Sequence, residues 1–138
     1  MHLSQILGLT ALASVVSAIT ISYDTGYDNR ARSLTTVACS DGENGLITRK
    51  HWNTQGDIPT FPFIGGAQAV KGWNSANCGT CWRLDYKGRS INVLAIDHTD
   101  AGFNIAQKAM DALTNNQAVH LGRIDGQATQ IDAKICGM

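Results

Sequence analysis

The 138 residues carry 11 lysines and arginines against 11 aspartates and glutamates, so no global field draws the chain to nucleic acid or to an anionic membrane. Charged residues make up 16%, with 14 glycines and 2 prolines, a composition of tight turns and close strand contacts rather than of a disordered tail. No repeat or low-complexity tract interrupts the sequence, and its length suits one domain around one core.

The opening residues, MHLSQILGLTALASVVSA, pass from a polar start through the apolar run Ile6 to Val16 into small residues. That is the pattern of a secretory leader, cut after Ala18. The apolar run is shorter than the roughly 20 residues that span a bilayer, and no later run exceeds it, so no transmembrane segment is expected. Residues 19–138 are then expected outside the cell as one domain. Ile19–Tyr23 and Ser33–Cys39 read as strands, with a polar turn around Asp28 and Asn29 between them. Gly42 and Gly45 mark turns before a short amphipathic segment, and IPTFPFIGGAQAV, broken by both prolines and a double glycine, reads as ordered loop.

The strand signal returns at Trp82–Tyr86, where large apolar and charged residues alternate, turns at Gly88 and resumes over Ser90–Ile96. The apolar end of that second run is typical of a strand buried on both faces, and it leads directly into Asp97. In AGFNIAQKAMDALTNN, Ile105, Ala109 and Leu113 with Ala106 and Met110 fall on one helical face, and Asn115-Asn116 is the stop. Gly122–Asp125 and Ala128–Ile131 are further strands. The fold class is mainly β with one or two helices, a small β-barrel with a helix attached.

Cys39, Cys78, Cys81 and Cys136 form an even set, which in an exported chain reads as two disulfides with three possible pairings. The close pair in CGTCW invites a redox reading, but such a centre needs its second cysteine near the start of a helix, whereas Cys81 leads into a strand. Zinc would need a second close ligand pair, and His51, His98 and His120 are scattered. Neither metal nor cofactor is expected.

Three stretches, SYDTGYDNRARSLTTVACSDGENGLITR, IGGAQAVKGWNSANCGTCWRL and INVLAIDHTDAGFNIAQKAMDALT, together resemble the cerato-platanin family of small secreted fungal proteins, with all four cysteines in place. The resemblance implies a six-stranded double-ψ β-barrel, related to the first domain of expansins, to barwin-like proteins and to family 45 endoglucanases. It also implies the pairing Cys39 with Cys78 and Cys81 with Cys136, which would tie both halves of the chain to the strand after CGTCW. Proteins of this kind are cell-wall or secreted fungal proteins. They bind chitin oligomers, act on plants as elicitors or virulence factors, self-associate, and in some cases loosen wall polysaccharide; some are allergens.

Within that frame Asp97 is the first candidate, since the matching aspartate of the related barrels lies in the polysaccharide groove; the competing reading is a turn or helix cap. Glycoside hydrolysis needs two carboxyl groups about 5 to 9.5 Å apart. Asp24, Asp28, Asp41 and Asp100 are candidates for the second by type alone, and the family lacks the complete acid and base pair of the family 45 enzymes. Binding without turnover is therefore expected, with no catalytic residue; a weak hydrolase and a surface-active, self-assembling protein are the alternatives. The carbohydrate contacts expected beside Asp97 are Tyr23, Tyr27, Asp28, Ser40, Asp41, Trp73, Asn74, Phe103 and Asn104. Tyr23 and Tyr27, set among aspartates, are expected to be wet; Trp52 and Trp82 are expected in the core. Asn74 has an alternative role in locking the loop before Cys78. The expected partners are chitin or N-acetylglucosamine oligomers, other wall polysaccharides, plant receptors and further copies of the chain.

Overall fold

The computed structural model describes residues 17–138, so the expected leader lies outside the described residues except for its last two positions. Six strands close on themselves in the order β1-β5-β2-β4-β3-β6. They are β1 (Ile19–Tyr23), β2 (Ile64–Ala67), β3 (Cys81–Tyr86), β4 (Arg89–His98), β5 (Phe103–Ile105) and β6 (Arg123–Ile131). The pairs β1/β5 and β2/β4 are parallel and the others antiparallel. This is the closed six-stranded barrel that the resemblance implies. Closure leaves no unpaired sheet edge, which removes the main aggregation hazard of a small β domain.

The strands pack Ile21, Ile64, Leu84, Leu94, Ile96 and Ile105 into a fully buried core. Helix α1 (Leu46–Lys50) is the short amphipathic segment expected after Gly45, and it buries Leu46. Helix α2 (Gln107–Thr114) lays Ala109, Met110 and Leu113 against the barrel, and the one-turn α3 (Ala118–Leu121) follows it. Asn115, at φ 58°, closes α2 where the sequence put its stop. The disulfides are Cys39–Cys78 and Cys81–Cys136, with sequence separations of 39 and 55. In the chain-entropy view, loops of this length make each bridge worth about 4 kcal/mol.

Four local expectations are corrected. Ser33–Cys39 is not a strand: a 3-10 turn occupies Leu34–Thr36, and only Ser33 makes an isolated bridge, to Thr54. Local side-chain bonding wins there, because Ser33 Oγ accepts from Thr35 N and Thr36 Oγ1 donates to Ser33 O. The helix starts at Gln107 rather than before Ile105, since Phe103–Ile105 is taken up as β5 between β1 and β2. The middle third is loop apart from its helices and β2, whose IGGA sequence is wholly buried. Gly65 is required in β2: a Cβ there would stand 2.4 Å from Asn104 O on β5. The two strands expected near the C-terminus are one continuous strand, β6, crossing Gly126 without a break.

Candidate functional site

In-register pairing across the barrel places Arg123, Ser22, Asn104, Gly66 and Asp97 in one row over β6, β1, β5, β2 and β4. Side chains alternate faces along a strand, and Ile21, Ile96 and Ile105 beside this row are fully buried, so the row faces away from the core. Ser22 Oγ donates to Asn104 Oδ1 at 3.1 Å, and Gly66 leaves a gap in the row between the amide and the carboxylate. Ser22 is absent from the sequence-derived set. Its signal was present, as the polar position between Ile21 and Tyr23 in an alternating strand.

Asp97 is half-buried at the end of β4, with both carboxylate oxygens occupied. Oδ2 accepts from Tyr27 OH at 2.8 Å; Oδ1 accepts from Ala38 N and His98 N, each at 2.9 Å. Asp97 accepts backbone amides as the capping reading requires, but it caps neither its own turn nor the following helix: it fastens Tyr27 and Ala38 to the barrel. Tyr27 is buried, 4% exposed, contrary to the expectation that it is wet. Its aspartate neighbours are turned to other work. Asp24 accepts from Gly26 N, while Asp28 accepts from Gln107 N at 2.8 Å and Lys108 N at 3.0 Å, capping α2. Burial, then the charge and hydrogen bond of Asp97, push the Tyr27 phenol far above the usual range, partly opposed by the Arg32 guanidinium over its ring.

The segment from Ala38 to Asp41 leads from this buried pair to a second, exposed one. Trp73 Nε1 donates to Asp41 Oδ1 at 2.6 Å, and Ser40 Oγ donates to the same oxygen. The indole is 63% exposed yet held from both loops. It rests over Gly42, where a Cβ would come within 3.1 Å of the ring and 2.6 Å of Asn74 Oδ1. Asn74, at φ 60°, accepts from Asn44 N through Oδ1 and from Asn44 Nδ2 through its carbonyl. Asn74 therefore locks the loop, and the Cys39–Cys78 bridge joins the same two segments beneath. The Trp73 hydrogen bond holds the exposed Asp41 carboxyl below its ordinary range.

The family model for cerato-platanin matches residues 19–138. The chain belongs to the cerato-platanin family. It is 46% identical over 129 residues to the heat-stable 19 kDa antigen of Coccidioides immitis, covering 94% of this chain and 88% of that one. To allergen Asp f 15 of Aspergillus fumigatus it is 48% identical over 118 residues, covering 86% and 76%. Among solved structures it is similar to cerato-platanin 2 from M. perniciosa, with TM-score 0.84, 47% identity and coverage of 88% and 100%. The solution structure of the fungal elicitor Cerato-Platanin gives TM-score 0.77 and 36% identity, covering 85% and 95%.

In this member of the family the other sequence-derived candidates separate. Asn104 joins the row with Asp97, and Ser40, Asp41, Asn74 and Trp73 gather at the exposed corner. Tyr23 is half-buried against the core. Phe103 is 6% exposed and packs edge-on against Trp82, their ring centroids 5.4 Å apart, away from the row. Trp52 and Trp82 both pack against the core, as expected. His98, which sequence reasoning used only as an unpaired metal candidate, bridges two segments beside Asp97. Its Nδ1 lies 2.6 Å from Val70 O and its Nε2 3.0 Å from Asp100 Oδ1, and the imidazole pKa is raised, first by that carbonyl and then by the carboxylate. Among the described residues no group of three or more His, Cys, Asp or Glu is placed to hold a metal ion, and no helix is long and apolar enough to cross a membrane.

Proposed function

We propose that this chain is a secreted, non-catalytic carbohydrate-binding protein of the fungal cell wall. Its ligands are chitin or N-acetylglucosamine oligomers, held between the polar row ending at Asp97 and the Trp73 corner. The observation that carries the reading is Trp73: a large apolar ring, 63% exposed, immobilised by a 2.6 Å hydrogen bond to an ionised carboxylate. Exposing such a ring gains nothing for the fold, whereas a pre-oriented aromatic face beside a hydrogen-bond acceptor suits a pyranose ring and its hydroxyls. Asn104, Ser22 and Arg123 supply further planar or hydroxyl partners along the row. Absence of turnover is supported by Asp97, whose two oxygens are engaged by a phenol and two backbone amides rather than directed to a leaving group.

Elicitor action on plants through host receptors is the extension supported by family membership and by the relative described as a fungal elicitor. Expansin-like loosening and self-association belong to the same reading. Calorimetry with N-acetylglucosamine oligomers tests it. The wild type should give saturating heat, and Trp73→Ala should weaken affinity by about ten-fold or more, roughly 1.4 kcal/mol. Asp97→Asn should keep the fold and weaken binding less. Unchanged affinity in a folded Trp73→Ala variant would remove the corner from the site, and sustained heat would replace binding by hydrolysis.

A further inference from the structure

One end of the barrel carries a second feature that shares no residue with the row or the Trp73 corner. Ile19 at the start of β1, Trp82 in β3, Phe103 at the start of β5 and Ala128 in β6 form the floor of an open depression of about 340 Å³. That size falls within the range of small-molecule sites, from about 300 Å³ upward. Two observations give the floor a fixed shape. The Trp82 indole N–H is already satisfied, donating to Thr80 Oγ1 at 2.8 Å, and its ring meets Phe103 edge-on with an interplanar angle of 61°. The rim is equally tied: Gln68 N donates to Gly102 O at 2.9 Å, and Gly102 N donates to Gln68 Oε1 at 3.2 Å.

Charge at this site has one sign. Lys71 is the one charged residue lining the depression, and it makes no ion pair among the described residues. An apolar aromatic floor under a lone cation complements a ligand with a flat apolar body and one negative charge. The paired Trp82 and Phe103 rings offer stacking and edge contacts to a ring system.

We propose that the barrel mouth formed by Trp82, Phe103, Ile19 and Ala128 under Lys71 is a binding site for a small aromatic carboxylate. The site is independent of the carbohydrate reading and would stand if that reading failed. It is tested on the full, oxidised protein by NMR titration with naphthoate, using naphthylmethanol as the neutral analogue. Naphthoate should bind saturably, moving the Trp82 indole and Gly102 signals while leaving the Trp73 indole in place. Lys71→Met, a change at an exposed position, should weaken naphthoate by about five-fold and leave the neutral analogue unaffected. Ala128→Trp should block both ligands, with the remaining spectrum reporting an intact fold. The proposal is overturned by unsaturable shifts, by shifts centred on the Trp73 loop, by equal naphthoate affinity in the Lys71→Met variant, or by unimpaired binding in folded Ala128→Trp.

Discussion

Asp97 and Asp41 each accept a hydrogen bond from a tyrosine or tryptophan side chain, and they serve opposite ends. Asp97 takes the hydroxyl of a buried tyrosine; Asp41 takes the N–H of an exposed tryptophan. The first pair fastens an N-terminal loop to the barrel, since Asp97 also holds Ala38 and Tyr27 contributes to the core. The second fastens a ring to the surface, where its hydrophobic area remains in water. The same chemical pair thus maintains the fold when desolvated and presents a binding surface when wet, and burial decides which. Because the four residues Ala38–Asp41 join the two pairs, each can be perturbed separately and the difference measured.

The largest effect should come from the link beneath both. Replacing Cys39 and Cys78 by alanine should destabilise the domain by about 4 kcal/mol in chemical denaturation, within the range typical of small secreted domains. It should also loosen the Trp73 corner, because the bridge joins the segments that carry Asp41 and Trp73. A variant with near-native stability would mean that the core alone holds these loops.

Tyr27→Phe acts on the buried pair alone. Asp97 Oδ2 then loses its donor in a half-buried place, and stability should fall by about 1 to 3 kcal/mol in a urea titration. The pH dependence separates this from simple loss of packing. The folded-state phenol titrates above its unfolded value of about 10, so above that pH the unfolded chain releases the proton while the folded one keeps it. Stability from this group is complete below about pH 10 and declines as pH rises, by at most about 1.4 kcal/mol per pH unit. The phenylalanine variant should lose that part of the alkaline slope. An identical slope in both proteins would show that the Tyr27–Asp97 contact does not survive in solution.

What was legible in the sequence follows the same division between local and distant causes. The β3–β4 hairpin could be read from alternation and Gly88, and the stop at Asn115, because those signals are local. The IGGA strand could not. Gly65 answers to Asn104 on β5 and Gly66 to His98 on β4, and only the closed barrel reveals those close approaches. Tyr27 was misjudged for a related reason: the aspartates around it looked like solvated neighbours, but Asp28 caps a helix 79 residues away. Local polarity carried no trace of that partner. At the candidate site, Trp73, Asp41 and Asn74 were found because they lie in two short matching loops. Phe103 and Asn104 are adjacent in β5, yet alternation sends Phe103 to the barrel mouth and Asn104 to the polar row.

The exposed pair should show the reverse of Tyr27. Trp73→Ala removes a ring that is mostly in water, so its effect on stability should stay within about 0.5 kcal/mol, as for ordinary surface changes, while oligomer affinity falls. A larger loss of stability, measured by the same urea titration, would place Trp73 with Tyr27 as a structural anchor and end the contrast.

His98 extends the comparison to a third ring beside a carboxylate and should give the smallest effect. Its two nitrogens face Val70 O and Asp100, an arrangement in which both can donate only when the imidazole is protonated. The raised pKa therefore means that any stability from this clamp is complete below the ordinary histidine value of about 6.5 and fades as pH rises through the higher folded value. With the ring and Asp100 both in solvent, no change in global stability is expected. Asp100→Asn should instead lower the His98 midpoint followed by NMR, while leaving it above the ordinary value because the Val70 carbonyl remains. A midpoint that does not move would mean that the carboxylate contributes nothing, and that an exposed ring needs a rigid seat, such as Gly42 gives Trp73, before a neighbouring aspartate can act on it.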